Sequence, residues 1–118
     1  MVSVTVLIVD DHGSFRNAAR KLLEHHGYRV VGEARDGEAA LEAVRELQPD
    51  VVLLDVQMPG IDGFEVAARL TGSGDAPAIV LVSSRDGTDF GKLVAESGAR
   101  GFIPKHDLSG PALAALLG

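Results

Sequence analysis

Short apolar runs alternate along the chain with segments in which apolar residues recur at helical spacing. This alternation is typical of repeated βα units. The strands predicted from it are Val4–Val9, Arg29–Ala34, Val51–Leu54, Ala78–Ser83 and Gly101–Pro104. Three of these runs are continuously apolar, which indicates strands that are covered by helices on both faces.

The first two helices are predicted from their apolar faces and their ends. Gly27 supplies a stop for the first helix, and Asp36 can cap the second because its side chain can accept from a free backbone N–H group. The predicted inner faces are Phe15, Ala18, Ala19, Leu22 and Leu23 in the first helix, and Ala40, Leu41, Val44 and Leu47 in the second.

The other three helices carry weaker signals. Asp62 and Glu65 have the spacing of a capping box at the start of the third helix. The fourth is predicted to carry Phe90 and to be weakened by Gly91 in its interior, at a cost of about 1 kcal/mol relative to alanine. The fifth is predicted to begin near Ser109.

Five βα units in 118 residues favour an open, doubly wound α/β sheet, because a closed eight-stranded barrel needs about 200 residues or more. The expectation is a single domain over residues 1–118, with no output domain in this chain. In such sheets the ligand crevice lies outside the carboxyl ends of the strands. The residues that follow each strand are therefore the candidates for function.

Composition narrows the function classes. The net charge of −6 argues against direct nucleic-acid contact by this chain, because affinity for DNA rests largely on neutralising phosphates. The absence of cysteine excludes disulfides and thiolate metal sites and fits a reducing compartment. No apolar run approaches the roughly 20 residues of a membrane helix, so we expect a cytoplasmic domain without membrane contact.

Polar residues stand at the predicted strand ends. They are Asp10 and Asp11 after the first strand, Asp55 after the third, Ser83 at the end of the fourth and Lys105 after the fifth. Taken singly, each fits a cap, a turn or a solvated loop. Together they supply three carboxylates, a hydroxyl and an ammonium to one crevice.

The acidic pair needs a compensating charge. Two unit charges about 4 Å apart interact by about 1 kcal/mol in water and about 4 kcal/mol at an effective dielectric of about 20. A cation between Asp10, Asp11 and Asp55 would relieve this repulsion. Mg²⁺ suits the set because it prefers oxygen ligands and is usually held by one or two carboxylates together with a phosphate.

Four motifs resemble those of the receiver domain of two-component response regulators. They are "VDDHGS", "LLDVQMPGIDG", "LVSS" and "GFIPK", in the family's order and each at the appropriate strand end. The resemblance covers essentially the whole chain, and "GARGFIPKHDLSGPALAALL" most resembles the NarL/FixJ-like branch. It implies a flavodoxin-like (βα)5 fold with a parallel sheet in the order 2-1-3-4-5.

The resemblance also implies roles for the crevice residues. Asp55 would accept a phosphoryl group from a histidine kinase and lose it by slow autohydrolysis. The implied metal site consists of Asp10, Asp11 and Asp55, with the backbone carbonyl of Gln57. By the same resemblance the chain would be a signalling domain that catalyses only its own phosphoryl transfer and dephosphorylation.

A conformational switch is implied as well. Ser83 and Lys105 would contact the phosphoryl oxygens, and Phe102 would be the switch aromatic of the fifth strand. The surface that responds would be formed by the fourth helix, the fifth strand and the fifth helix. A partner protein, or a second copy of the domain in a homodimer formed on phosphorylation, would bind there.

Three other functions compete with this interpretation. A phosphorylation-independent interaction module of the same fold would be expected to lack one of the acidic pair, Asp55 or Lys105, all of which are present. A haloacid-dehalogenase-type phosphatase needs an acid two positions after its aspartate, where Gln57 cannot transfer a proton. A flavodoxin is disfavoured because acids after the first strand would repel a flavin phosphate.

The segment around Lys105 departs from the family pattern at one position. His106 follows the lysine where many receivers have proline, so we expect a trans bond there, since a cis bond before a non-proline residue costs about 2.5–4 kcal/mol. Pro104 fits an edge strand, which tolerates a missing donor. His106, like His12, is interpreted as a loop residue near the crevice rather than as a phosphate carrier.

Overall fold

The computed structural model describes residues 3–72, 74–84 and 90–117. Its strands are β1 (Thr5–Val9), β2 (Arg29–Ala34), β3 (Val51–Asp55), β4 (Ala78–Ser83) and β5 (Gly101–Pro104). Its α-helices are α1 (Gly13–His25), α2 (Gly37–Leu47), α3 (Gly63–Leu70), α4 (Gly91–Ser97) and α5 (Gly110–Leu117). A short 3₁₀ helix at Lys105–Asp107 follows β5.

The strands form one parallel sheet in the order β2-β1-β3-β4-β5. The predicted topology and all five predicted strands are therefore confirmed, with ends displaced by at most one residue. β5 is an edge strand, which explains why Pro104 is tolerated there. The described residues contain no cis peptide bond, so the expected trans bond before His106 is confirmed.

Alternate side chains of the central strands supply two separate cores. Val6, Ile8 and Leu53 belong to the core on one face, which α1 and α5 cover. Leu7 and Leu54 belong to the core on the other face, which α2, α3 and α4 cover. Helices therefore cover both faces of the sheet, as the continuously apolar runs predicted. No helix within the described residues is both long enough and apolar enough to cross a membrane.

The predicted caps are confirmed at two helices and corrected in detail at one. Asp36 accepts from the backbone N–H of Ala39 at 2.8 Å, and Asp62 accepts from that of Glu65 at 2.9 Å. Glu65 does not form the second hydrogen bond of the predicted capping box, in which its carboxylate would accept from the backbone N–H of Asp62. Its carboxylate lies 3.4 Å from the guanidinium of Arg69, one turn further along α3.

Three details of the helix predictions were wrong. Gly91 is the first residue of α4 rather than an interior one, and Phe90 precedes the helix, so the cost of an interior glycine does not apply. Ala18 is exposed although its neighbour Ala19 is buried. Leu47 is 44% exposed because it is the last residue of α2, after which Gln48 turns the chain through a left-handed conformation.

Candidate functional site

The register of the sheet brings the strand-end residues together. Val9 pairs with Leu54 on the adjacent strand, so Asp10, which follows β1, lies beside Asp55, the last residue of β3. Ser83 pairs with Pro104 at the end of β5. Asp10 and Ser83 have no exposed surface, and Asp55 is 2% exposed. Two carboxyl groups and a hydroxyl are thus buried at one end of the sheet.

Lys105 reaches between the two buried acids. Its Nζ lies 2.6 Å from Asp10 Oδ2 and 3.7 Å from Asp55 Oδ2. The same ammonium lies 4.4 Å from the centre of the Phe15 ring on α1, within the range of a cation–π interaction. The compensating charge that the acidic residues require is therefore supplied, in part, by this chain's own lysine.

Asp11 lies at the mouth of the site, beside His12. The Nδ1 atom of His12 is 3.2 Å from Asp10 Oδ1 and 3.2 Å from Asp11 Oδ1. The backbone N–H of His12 also donates to Asp10 Oδ1 at 2.8 Å. His12, interpreted from the sequence as a loop residue near the crevice, thus contacts both acids of the pair.

Burial raises the pKa of Asp55 from 3.8 to about 6, and the nearby carboxylates of Asp10 and Asp11 add to the rise. Lys105 and the backbone N–H of Gln57, which donates to Asp55 Oδ1 at 3.3 Å, oppose it. The negative charge on Asp55 is therefore poorly compensated in the protein alone. A further cation at this point would stabilise the ionised form.

A pair of arginines on α1 holds the loop that carries the acidic pair. Arg16 donates from Nη1 to the backbone carbonyl of Asp10 at 2.7 Å and from Nε to Glu33 at 3.0 Å. Arg20 donates to the other oxygen of Glu33 at 2.9 Å. Burial raises the pKa of Glu33, but the two guanidinium groups outweigh it and hold that pKa below its ordinary value. Sequence reasoning missed this cluster.

The side chains at the site fit a divalent cation. Ligand atoms from Asp10, Asp11, His12 and Asp55 all lie within 4.8 Å of one another. Asp10 Oδ2 is buried without a hydrogen bond of ordinary geometry, although it pairs with the ammonium of Lys105. Three carboxylates around one small space are a donor set that Mg²⁺ accepts.

The predicted switch residues lie on one face of the sheet. Leu81 pairs with Phe102, and Ser83 is two residues further along β4, so it points to the same face. The Phe102 ring lies 5.8 Å from that of Phe90, which in turn lies 5.6 Å from that of Phe64. This aromatic row, formed by Phe64, Phe90 and Phe102, connects β5 to the start of α4 and to α3. Two expectations from the sequence, that Arg85 helps Ser84 and Gln57 to tune phosphate access and that Gly87 lowers the stability of the fourth helix, concern residues outside the described ones.

Comparisons with known proteins agree with this arrangement. The family described as the response regulator receiver domain matches residues 6–113. The response regulator GacA of Pseudomonas aeruginosa is 41% identical over 103 residues, which are 86% of this chain and 48% of GacA. The chain thus spans about half the length of the curated relatives that it matches.

Solved structures match over nearly the whole chain. The signal receiver domain of a Mycobacterium tuberculosis protein named NarL has a TM-score of 0.86 and 36% identity, covering 100% of this chain and 99% of that one. A two-component response regulator of the LuxR family from Aurantimonas has a TM-score of 0.87 and 31% identity, covering 99% of this chain and 87% of that one. The site lies within the matched region in each case.

Proposed function

The chain belongs to the family of response regulator receiver domains, and from that premise we propose that it accepts a phosphoryl group from a histidine kinase on Asp55. The observation that carries the proposal is the burial of Asp55 beside an acidic pair and an ammonium. A turn residue would have no reason to be buried with its pKa raised. A phosphoacceptor needs positive charge beside it, because the incoming phosphoryl group is an anion. The carboxylates would hold a cation for this purpose, and Lys105 supplies a second positive charge.

The proposed metal is Mg²⁺, held by Asp10, Asp11 and Asp55 with the backbone carbonyl of Gln57. When bound, it would supply charge neutralisation between the carboxylates and the phosphoryl oxygens. Lys105 would orient the acceptor through its contact with Asp55 Oδ2 and then bind a phosphoryl oxygen. In the transfer itself, one Asp55 oxygen bonds to phosphorus while the bond from phosphorus to the kinase histidine breaks.

A small phosphodonor with Mg²⁺ should therefore produce one acyl phosphate on this chain, located at Asp55 by mass spectrometry of the intact protein and its peptides. The Asp55→Asn variant should carry none, while circular dichroism shows that it remains folded. The exposed Asp107→Asn substitution is the matched control and should leave the yield unchanged. Phosphate on Ser83 or on a histidine would contradict the assignment to Asp55, and a chain that takes up no phosphate would favour a phosphorylation-independent interaction module.

We propose that phosphorylation acts through Ser83 and the aromatic row. Hydrogen bonds to charged groups contribute about 1.5–3 kcal/mol each. Two of them, from Ser83 and Lys105 to the phosphoryl group, approach the roughly 5.5 kcal/mol that inverts a 1:99 population. Movement of Ser83 toward the phosphoryl group would free space on the face that it shares with Phe102. Because Phe102 lies against Phe90, its movement would be transmitted to the start of α4.

Hydrogen exchange should detect this change. With beryllofluoride and Mg²⁺ as the phosphoryl mimic, the largest change in protection is expected between Ser84 and Lys105. Ser83→Ala should lose most of it because the hydroxyl that meets the phosphoryl oxygen is gone. Ser109→Ala, which removes only the cap of α5 at Ala112, should retain it. A change centred on α1 and α2, or one that survives Ser83→Ala, would contradict the coupling.

The remaining proposals concern the partners, the location and the domain extent of this chain. The face formed by α4, β5 and α5 would bind a partner protein or a second copy of the chain on phosphorylation. The net charge of −6 favours no direct nucleic-acid contact by this chain. We place the protein in the cytoplasm, where a histidine kinase would transfer its phosphoryl group, and treat residues 1–118 as one receiver domain.

A further inference from the structure

His12 occupies a position that helix capping does not explain. It is the N-cap residue of α1, but its side chain forms no capping hydrogen bond. Instead the ring turns back toward the end of β1, where Nδ1 lies 3.2 Å from an oxygen of Asp10 and 3.2 Å from an oxygen of Asp11. The side chain is 64% exposed, so burial does not hold the ring there.

These distances fit a hydrogen bond or ion pair from the imidazole to each carboxylate, and they also fit neighbouring ligands on one ion. Metal–ligand distances of about 2.1 Å at right angles place two ligand atoms about 3.0 Å apart. Nδ1 of His12 has this separation from both acids, and all four candidate ligand atoms lie within 4.8 Å of one another. Coordination through Nδ1 requires the tautomer that carries its hydrogen on Nε2, and a ring that is mostly exposed can adopt it.

We propose that Nδ1 of His12 is a nitrogen ligand at the cation site, which would then accept transition-metal ions as well as Mg²⁺. The inference rests on the proposed function, because it takes Asp10, Asp11 and Asp55 to hold a divalent cation. Imidazole is a good ligand for Ni²⁺, Co²⁺ and Zn²⁺, whereas Mg²⁺ prefers oxygen and keeps its waters. His12 therefore contributes to the affinity for Ni²⁺ and Co²⁺ and little to that for Mg²⁺.

Calorimetric titration of the full chain with Mg²⁺ and, separately, with Ni²⁺ tests this. His12→Ala should weaken Ni²⁺ binding by about tenfold or more, since even the loss of a group that orients a ligand costs about 10- to 100-fold. Its Mg²⁺ affinity should change by less than about twofold. His106→Ala is the matched control and should change neither affinity, because His106 is of similar exposure and lies in the short 3₁₀ helix after β5.

The adjacent histidines His25 and His26 are both exposed and are a second place where Ni²⁺ could bind. Ni²⁺ binding that persists in Asp11→Ala is assigned to sites away from Asp11, such as these two histidines, and is subtracted from the binding measured for the other proteins. In nuclear magnetic resonance spectra, substoichiometric Co²⁺ should broaden the imidazole signals of His12 together with the amide signals of Asp10 and Asp11.

Different results would contradict the cation site and the assignment of His12 as one of its ligands. If Mg²⁺ does not bind to the wild-type chain, the proposed cation site itself is wrong. If Mg²⁺ binds and Asp11→Ala abolishes that binding, but His12→Ala leaves the Ni²⁺ affinity and the broadening pattern at Asp10 and Asp11 unchanged, only the assignment of His12 as a ligand is overturned.

Discussion

Gly63→Ala is expected to destabilise the fold by about 1–3 kcal/mol or more, the cost of overpacking a filled site, and to weaken Mg²⁺ binding. A Cβ atom at Gly63 would overlap the backbone oxygen of Asp55 and would lie 2.7 Å from the Cα of Val56. Backbone atoms of a buried central strand cannot rotate away as a side chain can. The added methyl would therefore push the start of α3 away from the segment that carries Asp55, the proposed phosphoacceptor.

Urea unfolding and a Mg²⁺ titration of the same variant check both parts of this expectation. Gly91→Ala is the matched control, because it also replaces the first residue of a helix but its Cβ would meet nothing within 4 Å. That variant should be neutral or slightly stabilised. Equal stability of the two variants would show that the close approach of Gly63 to β3 is not rigid.

The position of the site was predictable from sequence because it follows from topology alone. Parallel strands place all their carboxyl ends at one edge of the sheet, and β1, β3, β4 and β5 each have a chemically informative residue there. Once apolar runs identified the strands, Asp10, Asp55, Ser83 and Lys105 had to converge. Their meeting required no knowledge of any side-chain conformation.

The contacts within the site were not predictable, because they depend on side-chain direction in loops. No periodicity indicates that His12 turns back onto the acidic pair or that Arg16 reaches the carbonyl of Asp10. The sequence predicted Lys105 in the same crevice as the acids, but not that its ammonium lies between Asp10 and Asp55. The close approach of Gly63 to β3 was not predicted for a different reason: in "DGFE" this glycine is equally well explained as the residue after a helix N-cap.

In metal-free buffer, Asp55→Asn is expected to make the protein more stable at pH 7 by about 3 kcal/mol. The pKa of Asp55 is raised from 3.8 to about 6 in the folded protein, mainly by burial and by the negative charge of Asp10. The difference of about 2 units corresponds to about 3 kcal/mol at 1.36 kcal/mol per unit. Asparagine has nearly the same shape and no charge, so it removes this cost.

The free energy of unfolding of the wild type should depend on pH, and the raised pKa of Asp55 fixes the direction of that dependence. Because the folded protein binds the Asp55 proton more tightly than the unfolded chain does, the free energy of unfolding of the wild type should fall as pH rises from about 4 to about 6. Asp55→Asn should lack that fall, so the two proteins should differ by less than about 1 kcal/mol at pH 4. The exposed Asp107→Asn should follow the wild type throughout.

Millimolar Mg²⁺ should reduce the difference in stability between the wild type and Asp55→Asn. A cation that binds only the folded state stabilises it in proportion to the logarithm of its concentration over its dissociation constant, and it removes the repulsion among Asp10, Asp11 and Asp55. The wild type should therefore gain stability at pH 7, whereas Asp55→Asn, which lacks one carboxylate of the site, should gain less. Urea unfolding at pH 4 and pH 7, each with and without Mg²⁺, measures all of these differences. Parallel curves for the two proteins across pH would mean that the charge of Asp55 is already balanced by Lys105, and that the buried acids need no further cation.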